Sequence, residues 1–162
     1  MRTNHFLFSS FLTVFLLLSA TYNGNAQPST QASGIYEYDL QAGYISIGWM
    51  RGDGDSCVVF MEEGNAASVN PVNMTTYNAS TNWLSKGTKL GASNFYCVYN
   101  GSGSNVTVTG LKQSTQYTFR VYEYNGGVGS QLYMTTTETG NPMTFTTPAI
   151  AQASSIYILY KD

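Results

Sequence analysis

The chain has 162 residues, of which 10% are charged and 14% aromatic, and its formal net charge is −2. This length suits one domain with additional segments. The few charged residues are scattered and form no Lys/Arg cluster, which excludes the concentrated positive surface that phosphate contacts with nucleic acid require. The aromatic content and the regular alternation described below exclude a disordered chain.

Residues 1–26 have the pattern of a secretory signal peptide. Arg2 supplies positive charge, Phe6–Leu18 forms a short apolar run, and the small residues at 24–26 suit cleavage before Gln27. The run is shorter than the roughly 20 residues of a membrane-spanning helix, although a retained anchor is the alternative. Because no cysteine follows the run, a lipid anchor is not expected. We therefore predict a secreted or cell-surface protein that meets the membrane only through this transient segment.

The mature chain alternates with period two in several short segments, which is typical of β-strands. In chain order the predicted strands are Gly34–Leu40, Tyr44–Trp49, Cys57–Met61, Phe95–Tyr99, Asn105–Thr109, the long strand within Leu111–Gly126, and a last signal within Gln131–Thr147 that is interrupted at Gly140–Pro142. Cys57–Met61 is apolar throughout, which suits a strand covered on both faces. About seven strands without a helical period predict an all-β, immunoglobulin-like β-sandwich.

Residues 65–92 form a long segment rich in Asn, Ser, Thr and Gly. A connection of this length in a compact domain is usually functional or packed down by its own side chains. The favoured interpretation is a folded-back loop whose Tyr77 and Trp83 cover a sheet edge. The alternative is that these two rings bind a ligand by stacking on a sugar.

Cys57 and Cys97 each lie in a predicted strand, and export permits a disulfide between them. The sequence does not supply the strand register, so a cross-strand bridge and two buried free thiols both stay open. A cysteine nucleophile is not expected, because the single histidine, His5, would leave with the signal peptide.

Two motifs carry a resemblance to a known family. Trp49 on the second strand, followed by Leu111 and Tyr117 at the entry to the long strand, resembles a fibronectin type III domain. The segments Trp49–Asp55 and Tyr96–Gly101 are similar to the W-x-R-G-x-G-D and Y-x-V-Y-N-G hallmarks of the subtype strung in tandem in exported bacterial proteins. The resemblance implies one domain over residues 27–148 in which Trp49, Leu111 and Tyr117 are structural. It implies that the Tyr117 hydroxyl bonds the backbone just upstream, and it implies a module rather than an activity.

A six-residue sequence occurs twice at a domain-sized distance. Residues 31–36 are QASGIY and residues 152–157 are QASSIY, an offset of 121 residues. Repeats with such a period indicate arrays of modules. We therefore predict that residues 149–162 are a linker and the first strand of a truncated second repeat. The alternatives are coincidence and a C-terminal strand with its own place in the domain.

Other short motifs have a simpler explanation. The tripeptide Arg51–Asp53 spells an integrin-recognition signal, but the resembled family pattern already accounts for these residues. Asp53 and Asp55 alone are too few ligands for calcium. Glu62 and Glu63 are adjacent, so on a strand they point to opposite faces and cannot serve as a glycosidase pair. Four Asn-x-Ser/Thr sequons occur, at Asn73, Asn78, Asn100 and Asn105. In a eukaryotic secretory pathway they would be glycan acceptors on loops; the favoured explanation is that the Asn/Ser/Thr-rich composition produces them by itself.

These observations predict a non-catalytic extracellular spacer or a protein-interaction or adhesion module, with neighbouring domains of a longer chain as its partners and with no metal or cofactor. A surface protein or a glycan is a further possible partner. The alternative function is a carbohydrate-binding module that uses Tyr77 and Trp83, with Tyr96 or Tyr99 beside them. Exposed, coplanar rings would favour sugar binding, and buried rings would favour the spacer.

Overall fold

The computed structural model describes residues 26–65 and 69–150, and within these ranges it contains only β-structure, turns and loops. The strands are β1 (Ser33–Gln41), β2 (Tyr44–Met50), β3 (Ser56–Glu63), β4 (Tyr96–Gly101), β5 (Asn105–Thr109), β6 (Gln116–Asn125), β7 (Leu132–Tyr133) and β8 (Met143–Thr146). One antiparallel sheet has the order β1-β2-β5, and the other has the order β4-β3-β6 with β7 and β8 both beside β6. The predicted β-sandwich is confirmed, and the last predicted strand divides into β7 and β8.

Two predicted segments fall outside the described residues. These are the signal peptide, apart from Ala26, and the second copy of the hexapeptide at 152–157, and both stay predictions. Among the residues that the structure describes, no helix has the length and apolarity to cross a membrane.

The alternating pattern of the strands places one set of apolar side chains between the two sheets. Trp49 lies edge-on to Tyr99, with 5.4 Å between ring centroids. Burying one such large apolar side chain stabilises the fold by about 1.5–3 kcal/mol relative to exposure. This inter-sheet core includes Ile45, Ile47, Trp49, Cys57, Val59, Met61, Val106, Val108, Phe119 and Val121.

The entry turn of β6 is tied to its surroundings by two backbone donors. The Lys112 N–H donates to the Tyr117 hydroxyl at 3.0 Å, which is the upstream backbone bond that the resemblance implies. The Leu111 N–H donates to the Gly43 carbonyl at 3.0 Å, which joins the turn to the β1–β2 hairpin. Tyr117 is fully buried and Leu111 nearly so. Both residues therefore fix the long central strand against the first sheet.

A second core lies on the outer face of the larger sheet, where the loop before β4 folds back. Tyr77 and Leu90 of the loop and Phe95 at its end are buried against the sheet. The Tyr77 ring packs edge-on to Phe60, with 5.0 Å between centroids. The sheet contributes Val58, Phe60, Cys97, Tyr122, Tyr124 and Tyr133 to this core. β3 is therefore covered on both faces, as its apolar run predicts, and the molecule has a third layer.

The same loop pairs with the edges of both sheets. The Ser80 N–H donates to the Cys97 carbonyl at 3.1 Å, and the Cys97 N–H donates to the Thr88 carbonyl at 2.9 Å, along the edge of β4. The Trp83 N–H donates to the Thr109 carbonyl at 2.9 Å, along the edge of β5. Covering edge strands in this way removes templates for pairing with other chains. The structure therefore has the folded-back loop rather than an open one.

Candidate functional site

A buried ion pair lies where the β2–β3 loop meets the end of β6. The Arg51 guanidinium donates to both carboxylate oxygens of Glu123, at 2.7 and 2.8 Å. The Glu123 side chain is completely buried, whereas that of Arg51 is 20% exposed. The Gly52 N–H donates to Glu123 Oε1 at 2.9 Å, and Arg51 also donates to the Gly54 carbonyl at 2.9 Å. The hydrogen bond to Glu123 raises the pKa of Arg51, so Arg51 stays charged. The two-point contact between Arg51 and Glu123 joins the loop to β6.

Asp53 holds the segment that precedes β1. Its Oδ1 accepts hydrogen bonds from the backbone N–H groups of Ser29 and Thr30 at 2.9 and 2.8 Å, and its Oδ2 accepts one from the Ser29 hydroxyl. The Ser29 hydroxyl, followed by the backbone donors, holds the pKa of the Asp53 carboxyl below its usual value of 3.8. Asp53 therefore works as an ionised acceptor for the N-terminal segment.

Gly52 allows this segment to approach the loop closely. A Cβ atom at position 52 would lie 2.0 Å from the Thr30 carbonyl oxygen, so any other residue would push the two backbones apart. Each member of the Arg51–Asp53 tripeptide thus has a contact inside the domain. These contacts account for the presence of the tripeptide without an integrin-binding role.

Gln31 is buried and uses its whole side-chain amide. Its Nε2 donates to the carbonyls of Met134 and Thr136 at 2.7 and 3.0 Å. Its Oε1 accepts from the N–H groups of Glu123 and Ala32 at 2.7 and 3.1 Å. Gln31 therefore joins β6, through Glu123, to the residues that follow β7, and its amide takes the place of a paired strand there.

Asn141 fills the neighbouring position beside β6. Its Oδ1 accepts from the Val121 N–H at 3.1 Å, and its Nδ2 donates to the carbonyls of Val121 and Ala32, both at 2.8 Å. Two side-chain amides thus satisfy backbone groups of β6 between β7 and β8. This substitution for a strand explains why the last predicted strand divides.

These groups together hold the first strand. We call the set formed by Gly52, Asp53, Glu123, Asn141 and the carbonyls of Met134 and Thr136 the first-strand clamp. The sequence analysis did not single out Gln31 or Asn141. The one available signal was that Gln31 opens the repeated hexapeptide.

Similarity between this chain and known proteins is found among solved structures. No protein-family model matches the chain, and no curated protein matches it. Among solved structures, the fourth fibronectin type III domain of a human protein matches at 16% identity over 86% of this chain and 93% of its own, with a TM-score of 0.47. The domain of human fibronectin type III domain containing protein 3 matches at 19% identity over 83% and 99%, with the same TM-score. The FN5 domain of Drosophila Lar matches at 12% identity over 75% and 98%, with a TM-score of 0.41.

The chain forms an all-β sandwich of two antiparallel sheets. The two sheets, their strand order and the bonded Tyr117 hydroxyl are features of this chain itself.

Tyr77 and Trp83, the two rings of the ligand-binding alternative, are buried. Trp83 is 4% exposed and lies in the inter-sheet core, edge-on to Tyr96 and Tyr117 at 5.8 and 6.0 Å. The Lys86 ammonium covers the Trp83 ring at 4.3 Å. Tyr77 is 3% exposed, and its hydroxyl accepts a hydrogen bond from a loop backbone N–H. Stacking on a sugar needs an exposed ring face, so neither residue is available for it.

The two cysteines are free and buried. β3 and β4 are neighbours, but Cys57 lies opposite Gly101 and Cys97 lies opposite Phe60. Cys57 belongs to the inter-sheet core and Cys97 to the second core, so the thiols lie on opposite sides of the sheet. The disulfide alternative required opposed positions, and the structure has the free-thiol alternative instead. Burial raises the pKa of each thiol to about 12.

The remaining motif residues have structural partners or lie exposed. The Asn100 amide donates to the Tyr77 carbonyl at 2.9 Å and accepts from the Tyr124 hydroxyl at 2.6 Å. A glycan on Asn100 would break these bonds. The other sequon residues, Asn73, Asn78 and Asn105, are exposed. Within the described residues, no group of three or more His, Cys, Asp or Glu side chains is placed to hold a metal ion.

The outer face of the β1-β2-β5 sheet carries exposed aromatic residues. Tyr36 and Tyr38 are each more than half exposed, with 6.4 Å between their ring centroids and a tilt of 54°. The Tyr36 ring lies directly over Gly48, where a Cβ atom would come within 2.6 Å of it. Met50 is 62% exposed on the same strand as Gly48. This face therefore contrasts with the outer face of the larger sheet, which the loop covers.

Proposed function

We propose that residues 27–148 are a non-catalytic module of an exported multidomain protein, where they space neighbouring domains and present one sheet face for contact with another protein. The observation that carries the proposal is the asymmetry between the two outer faces. The chain's own loop buries one face in a second core, whereas the face around Tyr36 and Tyr38 stays open. Exposed aromatic residues on such a face are typical of contact surfaces.

The hydrogen-bond partners of the polar side chains support the proposal of a structural module. The hydrogen bonds of the polar side chains around β6 are made within the domain. Arg51 and Glu123 bond each other and nearby backbone groups, and Asn141 bonds backbone groups. Asp53 accepts from two backbone N–H groups and from the Ser29 hydroxyl. A catalytic site would instead point such groups into a cleft toward a substrate. The raised thiol pKa of Cys57 keeps that thiol protonated at neutral pH, which is unsuited to nucleophilic catalysis.

Export can be tested in the source cell with an antibody against the folded domain. We expect the domain in the surface or medium fraction, and any molecules that carry the processed N-terminus should begin at Gln27. Leu17→Arg, which interrupts the apolar run of the signal peptide, should retain the chain inside the cell. Thr3→Lys adds charge before that run and should leave export intact. A cytosolic chain that keeps residues 1–26 would contradict the proposal.

The open face can be tested with the double variant Tyr36→Ser/Tyr38→Ser. We expect it to lose binding to the surface of the source cell while its unfolding midpoint changes little, because both rings are largely in water. Leu84→Ser is the matched control, since Leu84 is 82% exposed and belongs to the loop before β4. Equal cell binding by all three proteins would remove the contact role from this face.

A second candidate is binding of a neutral glycan at the same face. It is favoured by the exposed ring pair together with the exposed Thr107, whose hydroxyl hydrogen-bonds to that of the buried Ser46 at 2.8 Å on the neighbouring strand. The 54° tilt between the rings makes the face less flat than a stacking platform, so this candidate ranks second. Titration calorimetry against a panel of neutral glycans would decide it. Binding that Tyr36→Ser abolishes would favour it, and heats equal to those of buffer would reject it.

A further inference from the structure

A β-bulge in β1 brings an acidic side chain onto the open face, the outer side of the β1-β2-β5 sheet. Tyr36 lies opposite Gly48 and Asp39 lies opposite Ser46, so β1 advances three residues where β2 advances two. Ser46 and Gly48 alternate with the core residues of β2 and therefore point outward. Without the inserted residue, Tyr36 and Asp39 would point to opposite sides of the sheet. The bulge therefore places an aromatic ring and a carboxylate on the same face.

The Asp39 carboxylate is held in position on this face. The Tyr44 hydroxyl donates to its Oδ2 at 2.8 Å, and the Gln41 amide donates to its Oδ1 at 3.3 Å. An ionised carboxylate has about four acceptor sites, so these bonds orient the group and leave acceptor sites for a ligand. Asp39 is also partly exposed. A carboxylate that is already oriented binds a cationic donor at a lower entropic cost.

The aromatic rings near Asp39 lie within reach of the same ligand. The Tyr36 ring lies over Gly48, and the Tyr38 ring is 6.4 Å from it between centroids. Exposed rings of this kind attract a cation within about 6 Å of their centroid. Because their partners on β2 are two residues apart, Tyr36 and Asp39 lie about 7 Å apart along the sheet. One cationic side chain can therefore contact a ring and the carboxylate together.

The charge of this sheet indicates a positively charged partner. The three strands contain Glu37 and Asp39 but neither Lys nor Arg. Glu37 is exposed beside the two tyrosines. The open face therefore presents aromatic rings and uncompensated negative charge, which complement a cationic group on a binding partner.

A second copy of the domain is poorly suited to supply an arginine. Among the residues that the structure describes, Arg51 bonds both carboxylate oxygens of Glu123, and Arg120 is only 7% exposed. Both guanidinium groups are therefore taken up inside the domain that carries them. This favours a different protein as the source of the cation.

We propose that the open face binds an arginine side chain presented by another protein, with the guanidinium stacked on Tyr36 or Tyr38 and hydrogen-bonded to the Asp39 carboxylate. The planar guanidinium combines both contacts, because it stacks on aromatic faces and forms bidentate hydrogen bonds with carboxylates. A lysine ammonium is a compact and strongly hydrated charge that lacks this planar geometry. The proposed contact rests on the contact role of this face inferred above, and it adds the chemistry of the partner.

The direct test is an NMR titration of the protein with tetra-arginine, tetra-lysine and tetra-glutamate peptides. We expect tetra-arginine to shift the amide resonances of residues 36–39 and 46–48, tetra-lysine to bind several-fold more weakly, and tetra-glutamate to leave them unchanged. Asp39→Asn keeps an acceptor for the Tyr44 hydroxyl but removes the charge, so it should weaken tetra-arginine binding by about fivefold. Asp55→Asn is the matched control, because it removes one exposed carboxylate from the β2–β3 loop and should leave the affinity unchanged.

Several results of this titration would overturn the proposal. Tetra-arginine could leave these resonances unchanged, tetra-glutamate could shift them equally, or Asp39→Asn could bind tetra-arginine as tightly as Asp55→Asn does. Equal affinities for tetra-lysine and tetra-arginine would refute the choice of arginine. Concentration-dependent dimerisation that Asp39→Asn abolishes would make a second copy of the chain the occupant and would refute a different protein as the partner.

Binding to the source cell separates this proposal from the contact role on which it rests. Asp39→Asn should reduce cell binding, and so should raising the ionic strength from about 0.05 M to about 0.5 M, because salt screens exposed charges. If Tyr36→Ser/Tyr38→Ser loses cell binding while Asp39→Asn keeps it at both ionic strengths, the contact role stands and the arginine partner is refuted. If the double tyrosine variant binds cells as the unchanged protein does, the contact role itself fails.

Discussion

Removing the positive charge of the buried ion pair should strongly destabilise the domain. In Arg51→Met the Glu123 carboxylate, which is completely buried, keeps only the Gly52 N–H at 2.9 Å of the donors described above. Breaking a buried pair by removing one partner typically costs about 3–5 kcal/mol, because the remaining charge is left uncompensated. Since domains of this size are stable by about 5–15 kcal/mol in total, the variant should lose a large part of its stability. Urea unfolding at pH 7 followed by circular dichroism would measure the loss.

The double variant tests the cause of that loss. Arg51→Met/Glu123→Gln carries no buried charge at this position, so it should be more stable than Arg51→Met alone. Glu123→Gln alone should cost less than Arg51→Met, because the Arg51 side chain is 20% exposed and stays partly hydrated. If Arg51→Met costs under about 1 kcal/mol, or if adding Glu123→Gln destabilises it further, the uncompensated carboxylate is not the reason for the loss.

Three further predictions concern single groups. The hydrogen bonds from Ser29 lower the pKa of Asp53, so the Asp53 carboxylate stabilises the native chain above pH 3.8, and this stabilisation is lost as the pH falls toward the lowered pKa. Asp53→Asn should remove this part of the acid unfolding curve. An acid unfolding curve that the substitution leaves unchanged would contradict the prediction. Burial raises the pKa of the Cys57 and Cys97 thiols to about 12. Both thiols should therefore resist alkylation at pH 8 in the native protein and react after unfolding. Fast labelling of the native protein would show instead that the thiols are accessible. Tyr117→Phe should cost about 1 kcal/mol in urea unfolding, because the Lys112 N–H loses its acceptor. An unchanged midpoint would show that the hydroxyl does not anchor the turn.

The sequence predicted the strands well because their signals are local. Tyr117 and Phe119 alternate with Thr118 and Arg120 along β6, and a period of two is a property of neighbouring residues. The apolar run in β3 also predicted cover on both faces. The apolar run did not indicate which segment covers the outer face of β3, because that depends on where the long loop packs back onto the sheet and places Tyr77. Loop packing of this kind leaves no periodic pattern in the sequence.

The first-strand clamp could not be predicted from the sequence for a related reason. Gln31 bonds Glu123 across 92 residues, and Asn141 bonds Ala32 across 109. A single amide that replaces a strand leaves no periodicity, so the segment before β1 looks like a polar leader in sequence. The repeat of the hexapeptide marked the segment, but only the structure connects that repeat to a buried amide.

The first-strand clamp and the open face meet at β1. The clamped residues Gln31 and Ala32 directly precede this strand, and Tyr36 and Tyr38 lie exposed a few residues later. The hydrogen bonds that hold the start of β1 therefore also position the open face.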